Sequence, residues 1–213
     1  MELDILKPIL RESANFAEED IAFDLVVDPE RVRWEDLFDD DRPVEVEFGS
    51  GTGRFILDCA ARFPKHNYVA VEFRLKWFKL IRSRVIKRNL PNIRVLCADA
   101  KLLVESLIPE NQVLNYHIHH PDPWPKTRHR KRRLFQPRFC SMLKRGLVPG
   151  GHVFIMTDVE EYFRSIVQVM NAYSGLARLP DFPDDPDRII TNYEEKATKR
   201  NIQIHRTAYQ NLD

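Results

Sequence analysis

Only seven glycines occur in 213 residues, and three of them fall within five positions, in the run Glu47-Phe48-Gly49-Ser50-Gly51-Thr52-Gly53. The run follows Val44–Phe48, which reads as a buried strand, and precedes a helical pattern at about 54–62. Glycines at such a turn allow positive φ and a close backbone approach to a ligand. A strand, a tight glycine turn and a helix form the opening unit of an α/β sheet.

The rest of the chain repeats that alternation. Strands are expected at Tyr68–Glu72, Ile93–Cys97, Val113–His119 and His152–Thr157, with helices at about 75–89, 101–107, 135–146 and 160–173. Trp77, Leu80, Ile81 and Val85 form the apolar stripe expected to be core in the helix at 75–89. Residues 179–187 read as a loop by their Pro and Asp content, before a last helix at about 192–200 and a strand at 202–208. Alternating strands and helices imply a doubly wound, mostly parallel sheet. Residues 1–40 are expected as an acidic extension, partly helical and mobile at its start, and 41–213 as a single domain.

The net charge of +1 hides an asymmetry: residues 1–41 hold 14 acids and 4 bases, leaving an excess of bases in the remainder. A basic body suggests a polyanionic partner. No apolar run approaches the roughly 20 residues that span a bilayer, and residues 1–13 lack a signal-peptide pattern. A cytoplasmic protein is expected, without a membrane partner. Cys59, Cys97 and Cys140 match neither a disulfide framework nor a zinc pattern. His117, His119 and His120 form a poor metal set, because His117 and His119 share one strand face and His120 opposes them. No metal is expected.

The glycine spacing is GxGxG, and an acid, Glu47, precedes it. A pyrophosphate at the following helix N-terminus would be repelled by that acid, which disfavours a nicotinamide cofactor. A cationic ligand with ribose hydroxyls suits it better, and S-adenosylmethionine is such a ligand. Glu72 ends the second of these strands, where a carboxylate can accept ribose hydroxyls. Asp99 follows the third, placed to meet an adenine amino group. Ligands in open α/β sheets bind at this carboxyl edge.

Beyond the fourth strand comes His120-Pro121-Asp122-Pro123-Trp124-Pro125. Two prolines restrict the backbone around Asp122. Six Lys or Arg then occur in the eight residues 126–133. Such a run holds phosphates, Arg in bidentate fashion.

The sequence resembles the bacterial-type tRNA (guanine-N7)-methyltransferases. The resemblance rests on EFGSGTGRF, AVE at 70–72, CADA at 97–100, HPDPWPKTRHRKRR, TD at 157–158 and TNYEEK at 191–196, and covers about residues 43–208. It implies the seven-stranded class I methyltransferase fold. It implies transfer of a methyl group from S-adenosylmethionine to N7 of a guanosine in tRNA, at position 46 of the variable loop. It further implies cofactor contacts at Glu47, Glu72, Asp99 and Asp122, with Asp122 also catalytic; Gly49, Gly51 and Gly53 are expected cofactor contacts from the glycine loop itself. Substrate contacts are implied at Lys126, Asp158, Thr191, Asn192, Tyr193 and Glu194, and RNA contacts at Arg128, His129, Arg130, Lys131, Arg132 and Arg133. His120 departs from the Phe that many relatives carry there. A class I methyltransferase acting on another RNA or a small molecule, and a catalytically silent RNA-binding relative, are the alternatives. Monomer and homodimer are both open.

Overall fold

The strands of the computed structural model form where β-branched and aromatic residues cluster between turn residues; residues 24–26, 34–183 and 189–213 are described. In chain order the strands are β1 (Asp24–Val26), β2 (Val44–Phe48), β3 (Asn67–Val71), β4 (Ile93–Cys97), β5 (Val113–His119), β6 (Leu147–Thr157), β7 (Leu176–Arg178) and β8 (His205–Asn211). The helices are α1 (Arg54–Arg62), α2 (Leu75–Arg88), α3 (Ala100–Ser106), α4 (Pro137–Gly146), α5 (Glu160–Met170) and α6 (Asn192–Lys199). The strands form one sheet in the order β1-β4-β3-β2-β5-β6-β8-β7. All neighbours are parallel except β8, which runs antiparallel to both β6 and β7.

Every residue of β2, β3 and β4 is buried, as expected for strands covered on both faces. Alternate residues of β3 feed two cores. Val69 and Val71 join the larger one, with Tyr116, Phe139, Leu143 and Ile166. Tyr68 and Ala70 join the smaller one, with Phe55, Phe78, Ile81 and Val85. Helices α1 and α2 therefore cover one face, and α3, α4 and α5 the other.

Strands β2 to β8 make the expected seven-stranded arrangement, and β1 adds an eighth at the edge, parallel to β4. The expected helix and mobile start of residues 1–40 fall mainly on 1–23 and 27–33, outside the described residues. The described remainder contributes β1 and buries Trp34 and Leu37 in the larger core.

Several boundaries differ from the sequence expectation. Strand β3 ends at Val71, so Glu72 stands just beyond it. Strand β8 lies three residues later than the alternation around Ile202 and Ile204 suggests. Ile202 is 40% exposed, whereas Thr207, Ala208, Tyr209 and Asn211 are buried. The shift lets Asn211 Nδ2 donate to the Leu147 carbonyl at 3.1 Å. Trp77, expected in the core, is half-exposed and lines a cleft, because Phe78 takes the inward position of α2.

A cleft at the carboxyl edge and a basic turn beside it

Strands β2 to β5 deliver their following loops to one edge of the sheet. The glycine loop is pinned there by Gly49 and Ser50 N–H groups that donate to the Val71 carbonyl at 2.8 and 3.1 Å. Gly53 opens α1 with φ of +76°, and a Cβ there would lie 2.9 Å from Ile81 Cγ1. Only glycine meets both demands. At Gly49, with φ of +80°, an added Cβ would meet nothing within 4 Å. The backbone there borders open space that a ligand can approach.

Two adjoining cavities share this loop. The larger, about 610 Å³, is walled by Gly49, Gly51, Glu72, Asp99 and Asp122, with Trp77 and Trp124 at its sides. The smaller, about 250 Å³, is walled by Glu47, Thr52, His119, Asn192 and Tyr193. His119 and His120 line both.

The acids do not hold equivalent positions. Glu47 is buried, with Oε1 3.3 Å from His119 Nδ1 and Oε2 without a hydrogen-bond partner. Burial lowers the pKa of His119, and Glu47 opposes the shift. A buried carboxylate oxygen left unpaired is costly unless a cation meets it. Glu72 accepts from Gly51 N–H and Arg74 N–H, both at 2.8 Å, which aims its carboxylate across the cleft. Asp99 caps α3 through Oδ1, accepting from Lys101 N–H at 2.8 Å. Its second oxygen makes no such capping bond. These groups fit S-adenosylmethionine: an orphaned anion for its ammonium, a two-oxygen acceptor for its ribose and a further acid for its adenine.

The loop bearing Asp122 is exposed but braced. Arg133 Nε donates to the Pro123 carbonyl at 2.8 Å, and its guanidinium pairs with both oxygens of Glu161 over the Tyr162 ring. The Arg133 side chain is only 4% exposed. Three of its five N–H groups are thereby engaged, two of them by half-exposed Glu161, which gives this buried side chain a bracing role beside its expected RNA contact. The remaining bases sit on a 3₁₀ turn, Thr127–Arg132, and at Lys126 just before it, and no residue of the turn is buried. Lys126, Arg128, Arg130, Lys131 and Arg132 are exposed, and His129 is half-exposed. Arg132 lies over the Trp124 ring at 5.0 Å, and His129 meets the same ring edge-on. Trp124 is thus held at the cleft mouth with a cation on one face.

The 191–194 stretch divides into two roles. Thr191 and Glu194 form a reciprocal capping box on α6, with hydrogen bonds of 3.0 and 2.9 Å. Both are buried, and Glu194 also meets Arg206 at 3.1 Å. Their hydrogen bonds are internal, yet Thr191 still lines the smaller cavity, whereas buried Glu194 lines neither cavity. Asn192 and Tyr193 face outward. Asn192 Nδ2 donates to Thr52 Oγ1 at 2.6 Å, tying α6 to the glycine loop. Tyr193 Oη donates to Asp158 Oδ2 at 2.7 Å. Burial raises the Asp158 pKa, but the Tyr193 hydrogen bond and nearby His120 outweigh it and leave the carboxyl below its ordinary value.

Sequence reasoning missed Phe73 and Trp77 on the cleft wall, although Phe73 beside Glu72 was a usable signal. Among the described residues no group of three or more His, Cys, Asp or Glu is placed to hold a metal. No helix among them is long and apolar enough to cross a membrane. The three cysteines are free and buried.

The sheet order and the acid-lined cleft at its carboxyl edge define a class I S-adenosylmethionine-dependent methyltransferase. The solved structure of the aminoglycoside resistance methyltransferase NpmB1 shares the fold, with a TM-score of 0.58 over 80% of this chain and 87% of that one, at 17% identity. Residues 41–207 match a family described as "Putative methyltransferase". The tRNA (guanine-N(7)-)-methyltransferase of Latilactobacillus sakei is 32% identical over 85% of this chain and 88% of its own length. That of Vibrio cholerae is 33% identical over 85% and 78%. The chain belongs to the tRNA (guanine-N7)-methyltransferase family.

Proposed function

We propose that the protein methylates N7 of a guanosine in tRNA, at position 46 of the variable loop, in the cytoplasm. One observation carries the reading: Glu72, Asp99 and Asp122 wall a single cleft whose rim bears Trp124 and Arg132. S-adenosylmethionine, when bound, supplies an electrophilic methyl group on a cationic sulfur. Glu47, Gly49, Gly51, Gly53, Glu72, Asp99 and Asp122 would hold it.

Guanine N7 carries a free lone pair, so no residue has to remove a proton before it attacks. The protein's tasks are alignment and stabilisation of the positive charge that develops on the purine. Asp122 serves the second task, in a loop fixed by Pro121, Pro123 and the Arg133 brace. Asp158 accepts from the guanine N1 edge, oriented by the Tyr193 hydroxyl. The capping box of Thr191 and Glu194 positions Tyr193 and Asn192, and Thr191 lines the smaller cavity beside them. Lys126, Arg128, His129, Arg130, Lys131 and Arg132 meet the RNA backbone, with electrostatic binding that weakens with salt. A paired and stacked guanine has to leave its stack to reach the cleft, at a cost of a few kcal/mol, and Trp124 at the mouth offers a replacement face.

The test is incubation with unmodified tRNA and methyl-labelled S-adenosylmethionine, followed by nucleoside mapping. Label in 7-methylguanosine at position 46 is expected. Label in another nucleoside, or none, overturns the assignment.

A further inference from the structure

His120 directly follows β5, at the wall shared by the two cavities. Its φ is +51°, in the left-handed region that a side chain with a β-carbon rarely occupies. Its N–H donates to the Met156 carbonyl at 2.7 Å, so the sheet imposes this conformation. Such strain persists where function uses it. The ring lies against Tyr193, with centroids 4.1 Å apart. Both ring nitrogens are buried and have no hydrogen-bond partner. Nδ1 stands 3.5 Å from Asp158 Oδ1. Burial and neighbouring His119 lower the pKa of this imidazole, while Asp158 opposes the shift; in its neutral form the ring has one N–H donor and one acceptor. With Nδ1 beside Asp158, Nε2 is the buried ring nitrogen left without a polar partner, a desolvation cost with no return in the free protein.

We propose that His120 and Asp158 form a donor–acceptor pair that reads the lactam edge of the target guanine, the His120 N–H toward O6 and the Asp158 carboxylate toward N1–H. This rests on the guanine-N7 reading above. O6 and N1–H are adjacent on the purine, and an acceptor beside a donor needs a partner pair of opposite sense at this close spacing. Adenine presents the reverse order, an amino donor at C6 beside an N1 acceptor, and so opposes donor to donor and acceptor to acceptor. A site built to hydrogen-bond a substrate group rejects the analogue that leaves its buried polar atoms unpaired. Methylation at N7 drives positive charge into the ring and makes N1–H a stronger donor. Asp158 therefore gains strength as the reaction proceeds, while His120 sets which purine is held.

The test uses tRNA transcripts with guanosine, inosine or 2-aminopurine at the methylated position, on wild type, His120→Phe and His120→Gln. Phe keeps the ring packed on Tyr193 and removes both nitrogens, whereas Gln retains a donor. Wild type should accept inosine, which keeps the lactam edge, close to guanosine. It should disfavour 2-aminopurine by about a hundredfold, the scale of a lost bidentate base contact. His120→Phe should lose about ten- to a hundredfold in kcat/KM on guanosine, and its preference over 2-aminopurine should narrow. His120→Gln should keep most of both. Affinity for S-adenosylmethionine by calorimetry should be unchanged in each variant, which reports an intact cleft. If His120→Phe matches wild type in rate and preference, or loses rate with its preference intact, the proposal is overturned. If that variant fails to fold, wild type alone decides, since equal use of 2-aminopurine and guanosine overturns it. Absence of any guanosine methylation by wild type would instead overturn the functional reading beneath it.

Discussion

Arg133 ends the basic run, yet its guanidinium faces inward, and Arg133→Met separates bracing from RNA contact. Methionine retains a long apolar stem in the same space but offers no donor. The lost hydrogen bond from a charged group to the Pro123 carbonyl (2.8 Å) is worth about 1.5–3 kcal/mol. The cation over the Tyr162 ring at 4.7 Å adds about 1 kcal/mol. Glu161 is half-exposed, so that pair is discounted to about 0–1 kcal/mol. The expected destabilisation is about 3 kcal/mol, because such contributions overlap. Urea denaturation should show a lower midpoint with an unchanged slope. Turnover should fall as well, since the loop that carries Asp122 loses its brace. The dependence of tRNA affinity on salt should not change. Unaltered stability together with a salt slope flattened by about one would make Arg133 a phosphate contact and refute the bracing argument.

Substituting Arg130, Lys131 and Arg132 together by Gln should do the opposite, flattening the salt slope of tRNA binding by about two. Calorimetry should then show unchanged S-adenosylmethionine affinity; equal weakening of both ligands would make the run structural. Asp122→Asn, which keeps an oxygen that can accept from the cofactor, should leave cofactor binding largely intact and lower turnover by about a hundredfold or more, the scale of one preorganised charge partner. Near-normal turnover in that variant would remove Asp122 from catalysis. Glu45→Gln probes the buried Glu45 carboxylate between His66 Nδ1 at 2.6 Å and His117 Nε2 at 2.7 Å. Burial raises the Glu45 pKa, but the two histidine hydrogen bonds outweigh it and hold it well below its ordinary value of 4.5. Its contribution is present above that value and lost as pH falls toward the depressed one. The Glu45 hydrogen bond raises His66 above its ordinary 6.5, so that contribution is full below 6.5 and lost as pH rises through the raised value. The stability difference from wild type should therefore peak between about pH 5 and 6.5, and a flat difference from pH 4 to 9 would contradict the linkage.

The cleft was legible because its signals are local. A glycine turn directly after an apolar strand has few other uses, and the strand period places Glu72 and Asp99 at the same edge. The direction of Arg133 was not legible, because six bases in eight residues carry no mark of which one turns inward. That choice depends on Glu161, which is 28 residues away in sequence. The capping box shows the same ambiguity: Thr-x-x-Glu before a helix reads equally as a cap or as a contact, and the Arg206 partner of Glu194 is visible only in three dimensions. Strand β1 is three residues within an acidic stretch, and its pairing with β4 spans some 70 positions. The register of β8 depends on the partners on both sides of it, β6 and β7, rather than on its own alternation. His120 was visible as a departure from the family, but its backbone strain and its two orphaned nitrogens exist only in three dimensions.

The most direct measurement is a crystal structure of the protein with S-adenosylhomocysteine and substrate tRNA. It should show the ribose on Glu72, the amino acid end against Glu47, and a guanine turned out of its stack between Asp122 and Asp158. A donor analogue bound away from the Gly49–Gly53 loop, or a guanine seated more than one side chain's reach from Asp122, would contradict the account.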